Sequence, residues 1–210
     1  MKWNQHFDVE GLHAFLGASS YHWINYSDEK IIKTYRSKIA VAKGTELHEF
    51  ASQCIKLKQP LRKSQKTLNM FVNDAIGFNM RSEQVLYYSD NAFGTTDAIY
   101  FGAQPKSDRL ILRIHDLKTG ETPAHMEQLI VYAALFCLEY GVKPGEIDME
   151  LRIYQSNDIL YYNPEPDAIL PVMDKIIRFN KLIDKVKQEE GDYWYVRRQI
   201  TYRRLPYALW

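Results

Sequence analysis

Apolar positions along the chain change their spacing several times, and each change predicts an element. Across residues 28–58, Ile31, Ile32, Tyr35 and Ile39, then Leu47, Phe50, Ala51, Cys54 and Ile55, recur at three and four residues, the period of a helix. Gly44 is expected to divide or bend this stretch, because glycine weakens a helix interior by about 1 kcal/mol. Gln59-Pro60 ends it, and Leu68, Phe71, Val72, Ala75 and Ile76 predict a second helix. Upstream, residues 1–27 are rich in aromatics, and Ser19 or Ser20 suits the cap of a short helix through Trp23 and Ile24.

The spacing then shortens. Residues 84–88, 95–101 and 110–117 read as three strands separated by turn-rich links at Ser89-Asp90-Asn91 and around Gln104-Pro105. Such short links favour antiparallel neighbours. Pro123 suits the first turn of a helix running to Tyr140, with Leu129, Tyr132, Ala133, Phe136 and Cys137 on its buried face and Gly141 near its end. Residues 147–155 and 159–162 predict strands joined across Ser156-Asn157-Asp158, and residues 168–187 an amphipathic helix. The order predicts an α/β fold, a mixed sheet flanked by helices, with a parallel pair formed across the helix that follows Pro123.

Composition narrows the picture little. The 210 residues suit one domain, and a formal net charge of +1 names no polyanionic partner, so any nucleic-acid surface must come from local clusters. Two cysteines, Cys54 and Cys137, lie in apolar helical patterns and are expected as buried thiols; a four-cysteine zinc or iron–sulfur site within one chain is excluded. The start of the chain lacks a signal-peptide pattern, and residues 129–138, the most apolar stretch, are short of the roughly 20 a membrane span needs. A cytoplasmic protein with no membrane partner is expected.

Candidate chemistry concentrates at the end of the third strand. Asp116 and Lys118 are two positions apart, so both project from one face while Leu117 turns the other way. A charged pair ending a buried strand is costly unless matched by a metal, a substrate or each other. If the second and third strands are antiparallel neighbours, Asp97 sits beside Asp116, and two adjacent carboxylates force one to hold a proton unless a cation intervenes. A hard divalent ion with oxygen ligands resolves that conflict, and Lys118 is placed to hold an attacking water or steady charge on a phosphate. This is equipment for hydrolysing a phosphodiester. The bland alternative is a solvated strand end.

Taken together, Gly94-x-x-Asp97, Asp116-Leu117-Lys118-Thr119-Gly120 and Gln128-x-x-x-Tyr132 resemble the PD-(D/E)XK nucleases, nearest the RecB-like branch that includes phage-type exonucleases. Gly44-x-x-x-His48 fits that branch's helical histidine motif. The motifs cover residues 44–132. The resemblance implies a restriction-endonuclease-like αβββαβ core over about 40–165 of a single nuclease domain spanning 1–210. Residues 1–40, and a helix with a basic aromatic tail over 166–210, are additions to it.

The resemblance further implies His48, Asp97, Asp116 and the Leu117 carbonyl as ligands of Mg2+ or Mn2+, Lys118 as the residue that positions or activates water, and Gln128 and Tyr132 facing the site toward DNA. Its implied activity is metal-dependent DNA hydrolysis, more readily as an exonuclease than an endonuclease. That activity would process ends in recombination, repair or phage replication, in a bacterial or phage-infected cell and beside a recombination or replication protein. A catalytically inactive DNA- or partner-binding module and an RNA-acting nuclease are the alternatives. The iron–sulfur cluster carried by several RecB-like nucleases is expected to be absent, because its four cysteines are missing.

Several positions carry competing readings. Glu46 or Glu49 is able to replace His48 as an oxygen ligand, and a boundary histidine beside Leu47, Phe50 and Ala51 is the plainer role for His48. Glu83 lies close enough to the first strand to approach a metal but reads first as a solvated strand entry. His115 should face away from Asp116, and His125 reads first as a surface residue. Arg197, Arg198, Arg203 and Arg204, interleaved with Tyr193, Trp194, Tyr195 and Tyr202, offer the arginine-and-aromatic surface that DNA binding uses; Arg62, Lys63 and Lys66 form a second basic cluster.

Overall fold

The computed structural model describes residues 15–16, 18–105, 107–120 and 122–190. After a 3₁₀ turn at Ala18–Asn25 come α1 (Asp28–Lys56), α2 (Thr67–Gly77), β1 (Arg81–Ser89), β2 (Ala92–Gln104), β3 (Ser107–Leu117), α3 (Glu127–Tyr140), β4 (Asp148–Gln155), β5 (Asp158–Tyr162) and α4 (Pro166–Glu190). The strands form one mixed sheet in the order β1-β2-β3-β4-β5. Neighbours are antiparallel except β3 and β4, which run parallel across α3 as the sequence pattern requires.

Strand alternation divides the core. Leu112 and Ile114 of β3, with Leu151 and Ile153 of β4, pack against Leu129, Ala133 and Phe136 of α3 and Ile169 of α4. Leu117 and Tyr154 point the other way, to Ala51, Cys54 and Ile55 of α1 and Phe71, Val72 and Ala75 of α2. Each fully buried large side chain, such as Phe71 or Leu112, contributes about 1.5–3 kcal/mol. The result is an α/β fold with a five-stranded mixed sheet flanked by helices. Cys54 and Cys137 are buried and unpaired; burial pushes the Cys137 thiol up to about 11. Among the described residues no helix is long and apolar enough to cross a membrane.

Two expectations need correction. Gly44 does not divide α1, which runs unbroken for 29 residues. The glycine is buried, and a Cβ there would stand 2.7 Å from Thr119 Oγ1, so it serves a close approach of α1 to the loop after β3. Pro123 does not open α3, which starts at Glu127. The Gln155 side chain holds the intervening backbone: its Nε2 donates to the carbonyls of Gly120 and Thr122 at 2.7 Å, and its Oε1 accepts from Ala124 N at 3.0 Å.

The apolar stripe of α1 is also less buried than its period suggests. Ile32, Tyr35, Ile39, Leu47 and Phe50 are exposed among the described residues, while Gly44, Ala51, Ser52, Cys54 and Ile55 are buried. Only the C-terminal half of α1 lies on the sheet.

Candidate functional site at the end of β3

The β2–β3 register runs through Ala98↔His115; one step further along it, Asp97 stands opposite Asp116. Asp116 is nearly inaccessible, at 5% side-chain exposure, whereas Asp97 is 25% and Lys118 30% exposed. The site is therefore a partly open pocket with one carboxylate at its floor.

The two carboxylates have separate partners. Lys118 Nζ lies 2.9 Å from Asp116 Oδ2 and donates to Oδ1 at 3.2 Å. His48 Nδ1 of α1 lies 3.4 Å from Asp97 Oδ1, and Asp97 Oδ2 accepts from the backbone N of Leu117 at 2.8 Å. On α3, Gln128 Oε1 accepts from Lys118 Nζ at 2.7 Å, and Gln128 Nε2 stands 3.2 Å from Tyr132 Oη, to which it donates. A continuous chain thus joins Asp116, Lys118, Gln128 and Tyr132. Two adjacent carboxylates hold a proton or call for positive charge, and Lys118 supplies that charge at Asp116 while the His48 ring stands beside Asp97.

One polar atom remains orphaned. Asp116 Oδ2 is buried with no hydrogen-bond partner among the described residues, since Lys118 approaches it at ion-pair distance but outside hydrogen-bonding angles. Burial raises the Asp116 carboxyl above its ordinary value, and repulsion from Asp97 adds to this, against the pull of Lys118 and His48. His48 is raised by its bond to Asp97, which outweighs its own burial. Tyr132 is raised by burial, opposed by its bond from Gln128.

Both motif glycines have a packing reason. A Cβ on Gly94 would stand 2.8 Å from Tyr132 Cε1, so Gly94 admits the ring that completes the chain from Lys118. Gly44 lets α1 close on Thr119, one turn before His48. The spacing Gly-x-x-x-His places an approach point and a ligand type on the same helix face.

The structure therefore brings together His48, Asp97, Asp116, Lys118, Gln128 and Tyr132. Leu117 takes part through its backbone N–H, while its side chain is buried in the opposite core. His115 faces away, fully buried near Tyr154 and Phe78. His125 is exposed, as are Glu46, Glu49, Arg62, Lys63 and Lys66. Arg197, Arg198, Arg203 and Arg204, with their neighbouring aromatics, lie outside the described residues. Sequence reasoning named Thr119 only as part of the motif that ends the third strand and missed Gln155, which holds the loop between β3 and α3 and which no periodic signal marks.

The donor set at this site (two carboxylates and an imidazole) suits a hard divalent cation, and the orphaned Asp116 Oδ2 is an oxygen available to one. As they stand, the side chains do not close around a centre: among the described residues no group of three or more His, Cys, Asp or Glu is arranged to hold a metal ion. Comparison of the chain with models of protein families, with curated proteins and with solved structures finds no match in any of the three.

Proposed function

We propose that this protein is a divalent-metal-dependent deoxyribonuclease of the PD-(D/E)XK type, related to the RecB-like branch and acting on DNA ends as an exonuclease. The observation that carries the reading is the convergence of Asp97, from within β2, with Asp116 and Lys118 at the end of β3, with Lys118 tethered to Gln128. A polar cluster with one carboxylate 95% removed from solvent is costly to maintain, and phosphodiester hydrolysis gives each member work. The element order, two helices before three antiparallel strands and then a helix and a parallel strand, supports the same reading.

In this mechanism Asp97, Asp116, the Leu117 carbonyl and His48 would hold Mg2+ or Mn2+. When bound, the ion supplies Lewis acidity toward the phosphate and a water of lowered pKa. Lys118 orients the attacking water and offers positive charge to the phosphate as its charge builds. Gln128 limits the Lys118 ammonium to one direction, and Tyr132 fixes Gln128 in turn. His48 must be neutral at the nitrogen that binds the ion, so proton and metal compete for it.

Nuclease assays test this with labelled linear and circular DNA, single- and double-stranded, in Mg2+, Mn2+ or chelator. Linear DNA is expected to shorten with either ion while circles survive, and Asp116→Ala and Lys118→Ala are expected to be silent. Equal cutting by those variants would remove the site. Cutting of circles would make the enzyme an endonuclease, and cutting of RNA alone would move the substrate class.

One observation favours a second reading. The charges of the pocket are matched pairwise, Asp116 with Lys118 and Asp97 with His48, as suits a DNA- or partner-binding module that does no chemistry. DNA retention without cutting under every ion condition would select it.

A further inference from the structure

His48, Ser52 and Lys56 are spaced four residues apart on α1 and form one stripe along its face. They meet the sheet at two points. His48 meets Asp97 of β2. Ser52, 4% exposed, donates from Oγ to Glu83 Oε2 at 2.9 Å, and Lys56 Nζ pairs with that same oxygen at 2.8 Å. Ser82 Oγ lies 3.1 Å from Ser52 Oγ and 3.3 Å from the Ser52 carbonyl.

The backbone at Glu83 is unusual. In a strand, consecutive side chains point to opposite faces. Ser82 and Glu83 are consecutive in β1, yet both reach Ser52 of α1. The break in alternation comes from Glu83 itself, whose φ is 52°; the left-handed region costs a non-glycine residue about 1–2 kcal/mol. Glu83 lies between the paired positions Ser82↔Ala98 and Gln84↔Thr96, so the residue facing it across the sheet is Asp97. The strained position therefore adjoins the candidate site and aims a carboxylate at the helix that carries His48.

His48 is thus bracketed. One turn before it, Gly44 closes on Thr119; one turn after it, Ser52 is held by Glu83. The first half of α1 is largely exposed, so these two contacts, together with Ala51, Cys54 and Ile55 packed in the core, set where the histidine sits.

We propose that Glu83, acting through Ser52 and Lys56, is a positioning residue that registers α1 against β1 and β2 and so holds His48 at Asp97. The inference rests on the nuclease reading for its purpose, while its geometry stands apart from that reading. Glu83 is not a ligand here; its carboxylate is committed to the helix.

Glu83→Gly tests it, since glycine adopts the same φ without strain while removing the side chain and its carboxylate; Lys56→Met removes the other partner. In metal-free protein labelled at histidine ring nitrogens, the His48 signal (assigned by its loss in His48→Ala) is expected to move in both variants toward its position in Asp97→Asn. Direct Mn2+ binding followed by electron paramagnetic resonance is expected to weaken roughly tenfold in Glu83→Gly, in the range of outer-shell substitutions. That weakening should vanish in a His48→Ala background. An unmoved His48 signal, or a Mn2+ effect that persists without His48, would overturn the proposal. A wild type that binds no Mn2+ would instead count against the nuclease reading, and the ring signal would still decide the role of Glu83.

Discussion

Asp116 pays for its position in stability. Its carboxyl is raised by burial and by Asp97, so the folded state binds its proton more tightly than the unfolded state does. A group raised in this way stabilises the fold below its unfolded pKa and loses that contribution as pH rises through the folded value. Asp116→Asn is therefore expected to melt a few degrees higher than wild type at neutral pH while losing activity, read by calorimetry and nuclease assay together. A lower melting point would mean that the Lys118 pair contributes net stability. His48 follows the same sign. Its contribution is full below the ordinary value of 6.5 and is lost as pH rises through its higher folded value. The drop in stability from pH 6 to pH 8 should shrink in His48→Ala, measured by denaturant titration. At this scale the sequence was most informative, since a two-residue spacing on a strand put Asp116 and Lys118 on one face. What it could not show was the orphaned oxygen or the pairing of each carboxylate, because both depend on rotamers set by tertiary contacts.

Between the elements, glycines act as spacers. A Cβ at Gly94 meets the Tyr132 ring at 2.8 Å, and that ring is half-buried between α3 and β2. Gly94→Ala is expected to destabilise by about 1–3 kcal/mol, the usual range for overpacking, and to lower activity by displacing Tyr132 from Gln128. Tyr132→Ala in the same chain should recover the stability but not the activity; a neutral Gly94→Ala would show that the ring has room to move. The hydrophobic period identified the nine helices and strands among the described residues, and the Ser156-Asn157 turn, with φ of 52° and 62°, is the tight hairpin its short link implied. Boundaries were less legible. Pro123 is a good helix opener in isolation, yet the Gln155 side chain, remote in sequence, claims the backbone around it. Gly44 looks like a helix breaker until Thr119 is brought against it. Both cases are tertiary contacts overriding a local preference.

Across the whole molecule, the sheet separates two polar systems. On the face opposite the site, Glu150 accepts from Arg113 Nε at 3.1 Å and Arg152 Nε at 3.0 Å, and Arg152 and Tyr154 both bind Asp74. Burial pushes the Glu150 carboxyl up, but the His115 ring 3.7 Å away, the bond from Arg152 and the nearby Arg113 charge outweigh this and hold it at about 2. A depressed carboxyl contributes stability above its unfolded value, lost as pH falls from 4.5 toward about 2. Glu150→Gln should therefore be clearly destabilised at pH 7 and closely similar to wild type near pH 2, by urea unfolding at each pH. Nothing in the periodicity announced this network, because Arg113, His115, Glu150 and Arg152 occupy strand positions that alternation predicts only as facing one side. Its members adjoin the site through the backbone, where Lys118 N donates to the Tyr154 carbonyl at 2.9 Å. The polar layer and the site thus share β3, whose alternate residues face the two systems.

The central claim is that Asp116 and Lys118 form a hydrolytic site, and single-turnover digestion of an end-labelled linear duplex tests it most directly. With excess enzyme and Mg2+, wild type is expected to release nucleotides from the labelled end, and Lys118→Ala to slow that release at least roughly a hundredfold, the lower range for loss of a proton-transfer or charge-stabilising group, while still binding the duplex. Release by Lys118→Ala at the wild-type rate would contradict the account.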